Sequence, residues 1–163
     1  VSSSEVKMLS VGQLESLAMR AFSESPWHSL LSALKGITEE TFFFVPERHS
    51  GFPWMDGSIC DIVYHVTGDK IVQLSAAFDD GNETWDSLKT KLSKSDMAAM
   101  VEELHGAYEL ELSKLKSLNE DELEQKVATW GGKRMKAYEL FLMLIEHDLY
   151  HAGQIRYIRN VIE

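Results

Sequence analysis

The chain has 163 residues, 44% of them hydrophobic and 26% charged, which suits one globular domain over residues 1–163 and excludes a disordered polymer. Its formal net charge of −10 repels phosphate backbones, and the longest cationic cluster, Lys133, Arg134 and Lys136, is short, so nucleic acid is not expected as a partner. The single Cys60 excludes an intramolecular disulfide, no apolar run reaches the roughly 18 residues of a membrane span, and Val6–Val11 is too short for a signal-peptide core; a cytoplasmic protein without a membrane partner is expected.

The first helical pattern runs from about Val11 to Leu34, with Val11, Leu14, Leu17, Ala18, Ala21 and Phe22 on one face. Pro26 lacks an amide and crowds the preceding turn, so a break is predicted near Ser25, with Ser25 capping a restarted helix that Gly36 ends. Thr38–Trp54 reads as a loop with short turns, and its Phe42-Phe43-Phe44 run is expected over the end of the bundle.

The second helix is predicted over about Gly57–Phe78, capped by Ser58 or Asp56, with Ile59, Ile62, Val63, Val66 and Val72 facing inward. His65 shares a side with Ile62, Asp69, Val72 and Ala76. Asp79–Leu92 is polar, with Trp85 as its one large anchor. The third helix is predicted over about Ser95–Leu118, where Ser93 and Asp96 suggest a capping box. Its stripe is Met97, Val101, Leu104, Tyr108, Leu112 and Leu115.

Between Val127 and Met135 the period approaches two. Gly131-Gly132 suits a two-residue primed turn joining strands Val127–Trp130 and Lys133–Lys136. A fourth helix follows over about Ala137–Val161. Four amphipathic helices with a short hairpin before the last make an all-α four-helix bundle the expected fold.

The fourth stripe reads Leu140, Leu144, His147, His151, Ile155, Ile158 and Ile162. Two histidines one turn apart on a core-facing stripe need a reason, because an imidazole without partners is costly to bury. Combined with His65, they make a workable three-nitrogen metal site with a position open to water or substrate. Zinc fits, and the same ligands suit nickel, cobalt or iron(II). The alternative is a polar core network.

Among the neighbours, Asp69 either holds a ligand imidazole, accepts a proton at the site, or is a solvated side chain. Gln154 is placed to hydrogen-bond near the site. Asp148 and Glu146 are expected at the surface, and Tyr64, Tyr150 and Cys60 in packing roles. His28 either lines a pocket mouth or, the preferred reading, is a surface histidine at a helix start. His105 is a boundary residue, and His49 sits in the loop.

The segment His147-Asp-Leu-Tyr-His151-Ala-Gly-Gln154-Ile, with Ser58-Ile-Cys-Asp-Ile-Val-Tyr-His65 upstream, resembles the DinB/YfiT-like metal-dependent hydrolase superfamily. Pro26-Trp27-His28-Ser29-Leu30-Leu31 and the Pro46 loop resemble one branch of it. The branch usually shows His-Ser-Ile before the second helix, where this chain has Asp56-Gly57-Ser58-Ile59.

The resemblance implies an up-down-down-up bundle, a metal triad at His65, His147 and His151, and a homodimer. It also implies a small-molecule substrate for a hydrolase or a thiol-dependent transferase, in which the metal activates a bound water or the thiol of a low-molecular-weight cosubstrate such as bacillithiol, mycothiol or glutathione. Asp69, Gln154 and His28 are then the candidate catalytic residues. The competing function is a non-catalytic metal-binding module in stress response or interaction. The Phe42–Trp54 loop, Trp85 and Trp130 are candidate pocket walls.

Overall fold

The structure, a computed structural model, describes residues 9–47 and 55–163. In chain order it contains α1 (Val11–Met19), a π-helical turn (Arg20–Glu24), α2 (Leu30–Leu34), α3 (Glu39–Phe43), α4 (Ile59–Phe78), α5 (Trp85–Lys91) and α6 (Met97–Lys116). After these come α7 (Glu120–Leu123), β1 (Lys126–Ala128), β2 (Arg134–Lys136) and α8 (Ala137–Ile162).

Side-chain contacts fix the direction of each long element. Phe22 meets His105 and Tyr108, while Glu15 reaches Lys116, so α1 and α6 are antiparallel. Cys60 lies by Met100, Lys70 by Glu111 and Asp79 by Lys114, so α4 and α6 run in parallel. His65 meets His147 and Phe78 meets Phe141, which sets α8 antiparallel to α4. The result is an up-down-down-up bundle, with most of the buried apolar side chains in one cluster. No described helix is long and apolar enough to cross a membrane.

The break in the first helix is longer than the sequence pattern suggests. Ahead of Pro26 the backbone widens into the π-helical turn, closed by Ser25 N–H donating to Arg20 C=O at 3.2 Å. The helix restarts at Leu30, not at Pro26. Ser29 is its cap, accepting from Ser32 N–H, while the Ser25 hydroxyl accepts from His28 N–H in the intervening turn.

Thr38 caps α3, a helix within the predicted loop; Phe42 is buried and Phe44 exposed, so only part of the phenylalanine run is core. His49, Pro53 and Trp54 lie outside the described residues.

Ser58 caps α4, accepting from Asp61 N–H at 3.1 Å. The polar segment after α4 contains α5, capped by Thr84. At the start of α6 the predicted capping box is absent, and Asp96 itself is the cap, accepting from Ala99 N–H at 2.8 Å. The α6 stripe is rotated from prediction: Met100, Ala107 and Glu111 are buried, while Met97 and Val101 are half-buried.

The hairpin forms with Lys126 opposite Lys136, Val127 opposite Met135 and Ala128 opposite Arg134. Its loop is three residues, not two. Thr129 N–H donates to Lys133 C=O at 2.8 Å, Gly132 N–H donates to Thr129 C=O at 2.9 Å, and only Gly132 of the glycine pair takes positive φ, at 76°. A three-residue hairpin loop with its left-handed residue last fits this pattern.

Cys60 is buried, with its Sγ 3.7 Å from Met100 Sδ, and burial pushes its thiol up to about 11. Thiolate is the reactive form, so native protein is expected to give no measurable reaction with Ellman's reagent at neutral pH and one thiol per chain in denaturant. Rapid native labelling would contradict this placement.

Candidate metal centre

The three histidines converge between the middles of α4 and α8. His65 Nε2 lies 3.1 Å from His147 Nε2, which lies 2.9 Å from His151 Nε2. One ligand atom of each falls within 4.8 Å of the others, the single such group of His, Cys, Asp or Glu among the described residues. The one-turn spacing of His147 and His151 on α8 brings their rings to one side, and α4 supplies His65 from across the bundle.

Burial lowers the basicity of all three. His147 and His151 are each pushed down to about 3, first by burial and then by the neighbouring imidazoles, while burial holds His65 below its ordinary value. The rings are therefore neutral at physiological pH, with nitrogen lone pairs free to bind.

Their outward-facing nitrogens are arranged to keep those lone pairs inward. His151 Nδ1 donates to Gln154 Oε1 at 2.7 Å, and Gln154 Nε2 donates to the Tyr150 hydroxyl at 3.0 Å, which orients the amide. Asp69 Oδ2 lies 3.5 Å from His147 Nδ1, a buried atom with no closer acceptor. Gln73 Nε2 donates to Asp69 Oδ1 at 3.3 Å, and Gln73 Oε1 accepts from Trp130 N–H at 3.1 Å. A polar chain thus runs from the hairpin through Gln73 and Asp69 to His147. Burial pushes the Asp69 carboxyl above the usual carboxylate range, with Gln73 and His65 opposing it.

Asp69 and Gln154 therefore stand beside the histidines. His28 does not: it is exposed, in the turn before α2, and lines a separate cleft. Tyr150 is 54% exposed and hydrogen-bonded, so its role exceeds the packing expected of it. Sequence reading missed Gln73, whose signal was its position one turn after Asp69.

The aromatic wall was half legible. Trp85 stacks on His65 with ring centroids 5.7 Å apart and planes 6° apart, and Trp130 meets Trp85 edge-on at 6.4 Å. Gly68 makes that stack possible, because a Cβ there would fall 2.4 Å from the Trp85 ring. Gly68→Ala is expected to cost about 1–3 kcal/mol through overpacking, read as a lower urea midpoint at unchanged slope. Gly106→Ala is the control. Its Cβ meets open space in the middle of α6, and the change is expected to stabilise by up to about 1 kcal/mol.

Asp148 departs most from expectation. It is 1% exposed rather than at the surface, and with Glu111 it closes around Lys70, itself fully buried. Lys70 Nζ donates to Glu111 Oε2 at 2.5 Å and to Asp148 Oδ2 at 2.9 Å. Burial opposes the Lys70 charge, but Asp148 and Glu111 outweigh it and hold the ammonium above the usual lysine value. Burial raises the Asp148 carboxyl, with Lys70 pulling against it. Glu146 is exposed, as expected.

The donor set fits a divalent cation. His65, His147 and His151 would hold it through three imidazole nitrogens within 4.8 Å of one another, and Gln154 on His151, with Asp69 beside His147, stands where the outer partners of a liganding histidine stand. No curated protein and no solved structure matches the chain. The family model of the DinB superfamily, in contrast, matches residues 24–155. That match runs through every residue of the histidine cluster, and on it the chain belongs to the DinB superfamily.

Proposed function

We propose that His65, His147 and His151 hold one divalent metal ion, zinc or nickel in class, and that the protein is an enzyme acting on a small molecule by hydrolysis or thiol-dependent transfer. The observation that carries this reading is the convergence of three neutral imidazole nitrogens, two of them backed by outer partners. When bound, such an ion supplies Lewis acidity that lowers the pKa of a coordinated water or thiol.

The chain's own residues supply the rest. Gln154 accepts from His151 Nδ1, which directs the Nε2 lone pair of His151 into the cluster, and the Asp69 carboxylate stands 3.5 Å from His147 Nδ1 on the outer side of that ring. Asp69 is also the nearest carboxylate able to take or return a proton at the site, and Gln73 orients it. Trp85 covers one face of His65, and Trp130 extends that apolar wall at the surface, where it is 49% exposed. A flat apolar substrate group fits against such a wall. Three protein ligands in the described cluster support an open, reactive site, since a structural ion takes four.

Elemental analysis of untagged protein purified without chelator tests the reading, with His65→Ala beside it. About one divalent ion per chain, lost in the variant, supports the site and justifies assays with thiol cosubstrates and hydrolysable esters and amides. No metal after purification and none taken up on titration would reduce the histidines to a polar core network.

A further inference from the structure

On the opposite side of α8 from the histidines lies a concave site. Ile145, Leu149, Ala152, Gly153 and Arg156 recur at helical spacing, about half a turn around from His147 and His151. They face Leu17, Arg20 and Ala21 of the first helical segment across a cleft of about 410 Å³, with Trp27 and His28 at its rim. That volume falls within the roughly 300–1,000 Å³ of small-molecule sites.

The walls are apolar and the charge is of one sign. Arg20 and Arg156 both line the cleft, and no carboxylate does. In a chain of net charge −10, neither arginine has an acidic partner within 4.0 Å among the described residues. Arg156 Nη2 donates to Ser32 Oγ at 2.8 Å, but its Nε is buried and donates to nothing. Two cleft-lining guanidiniums without an acidic partner leave charged N–H donors for a ligand, and the acceptor of matching geometry is a carboxylate. Leu17 and Leu149, 38% and 42% exposed, continue the apolar surface outward from the charges.

We infer that this cleft binds a small monocarboxylate with an apolar chain, its headgroup on Arg156 and Arg20 and its chain along Leu17, Ala21, Ile145 and Leu149. The site is separate from the metal centre and stands whether or not the histidines bind metal.

Octanoate is the probe, titrated by calorimetry and by the change in tryptophan fluorescence that Trp27→Phe removes, at about 0.15 M salt, where long-range repulsion by the acidic surface is screened. Saturable binding at one per chain is expected, weakened at least tenfold in Arg20→Met/Arg156→Met. Gly153→Leu provides a variant that leaves both arginines intact. A Cβ at Gly153 meets open space, so the larger side chain fills the cleft without a clash in the helix, and it is expected to abolish binding. Gly153→Leu should melt no lower than the parent protein, since a helix-interior glycine is replaced by a better helix former, and its metal content should be unchanged. Absence of saturable octanoate binding by the parent protein overturns the inference. So does equal binding of octylamine, or octanoate binding that ignores both variants. A dimer that the arginine variant dissociates, without octanoate binding, would replace it with a contact between two copies.

Discussion

Lys70→Met is expected to destabilise the fold by about 3–5 kcal/mol, as much as truncating a large core side chain, because it leaves two buried carboxylates facing each other without a cation. Glu111 and Asp148 are each 1% exposed, and each has a second oxygen, Oε1 and Oδ1, that already lacks a hydrogen-bond partner. Little is left to compensate the lost ammonium. Urea unfolding followed by circular dichroism gives the number directly. The triple change Lys70→Met, Glu111→Met, Asp148→Leu should recover most of the loss, since the cost arises from uncompensated charge rather than from lost volume. A single-variant loss below about 1 kcal/mol would mean that the carboxylates discharge by taking up protons.

Chelation is expected to lower the melting temperature of the parent protein and leave that of His147→Ala/His151→Ala unchanged. A ligand present at a hundred times its dissociation constant adds about 2.7 kcal/mol to the folded state. For a chain of this size that corresponds to roughly 5–11 °C. The double variant should remain helical, because α8 keeps Leu140, Phe141, Leu144, Ala152 and Ile155 in the core. Equal melting temperatures of the parent with and without chelator, at saturating metal, would mean that the histidines do not bind it.

The histidine cluster was readable because its members obey the spacing of the apolar side chains around them. His147 and His151 continue the sequence Leu140, Leu144 and Ile155, and His65 follows Ile62. The Lys70 triad obeys the same rule and was passed over because charged residues are by default assigned to water. Glu111 stands in step with Leu104, Tyr108 and Leu115, and Asp148 with Phe141, Ile145, Ala152 and Ile155. Lys70 is in step with Val63, Val66 and Leu74. Three charges on three core stripes, one positive and two negative, were the available signal.

Other misses have local causes. Gly131-Gly132 permits a positive φ at either glycine, so the dipeptide alone does not distinguish a two-residue from a three-residue loop. Ser25 and Ser29 both satisfy the composition of a cap, and the choice between them depends on how far the chain needs to turn after the π-helical segment. The stack of Trp85 on His65 depends on contact between residues 20 apart in sequence, which no periodicity encodes.

Lys70 lies one and a half turns beyond His65 on α4, and Asp148 follows His147 directly on α8. The ionic triad and the imidazoles therefore fasten the same two antiparallel helices at neighbouring depths. Helix pairs in switching proteins shift by about 1–2 Å and, in the extreme, by about one turn. A closed-in ammonium between two carboxylates forbids even a small slip, because any displacement strands a charge. The spacing between the three imidazoles is thus held in part by residues outside the cluster. Imidazole donors by themselves discriminate poorly among zinc, nickel, cobalt and iron(II). Under the proposed metal-binding role, freeing the cluster at Lys70 is expected to broaden the range of divalent ions taken up, read by competitive titration of Lys70→Met beside the parent protein.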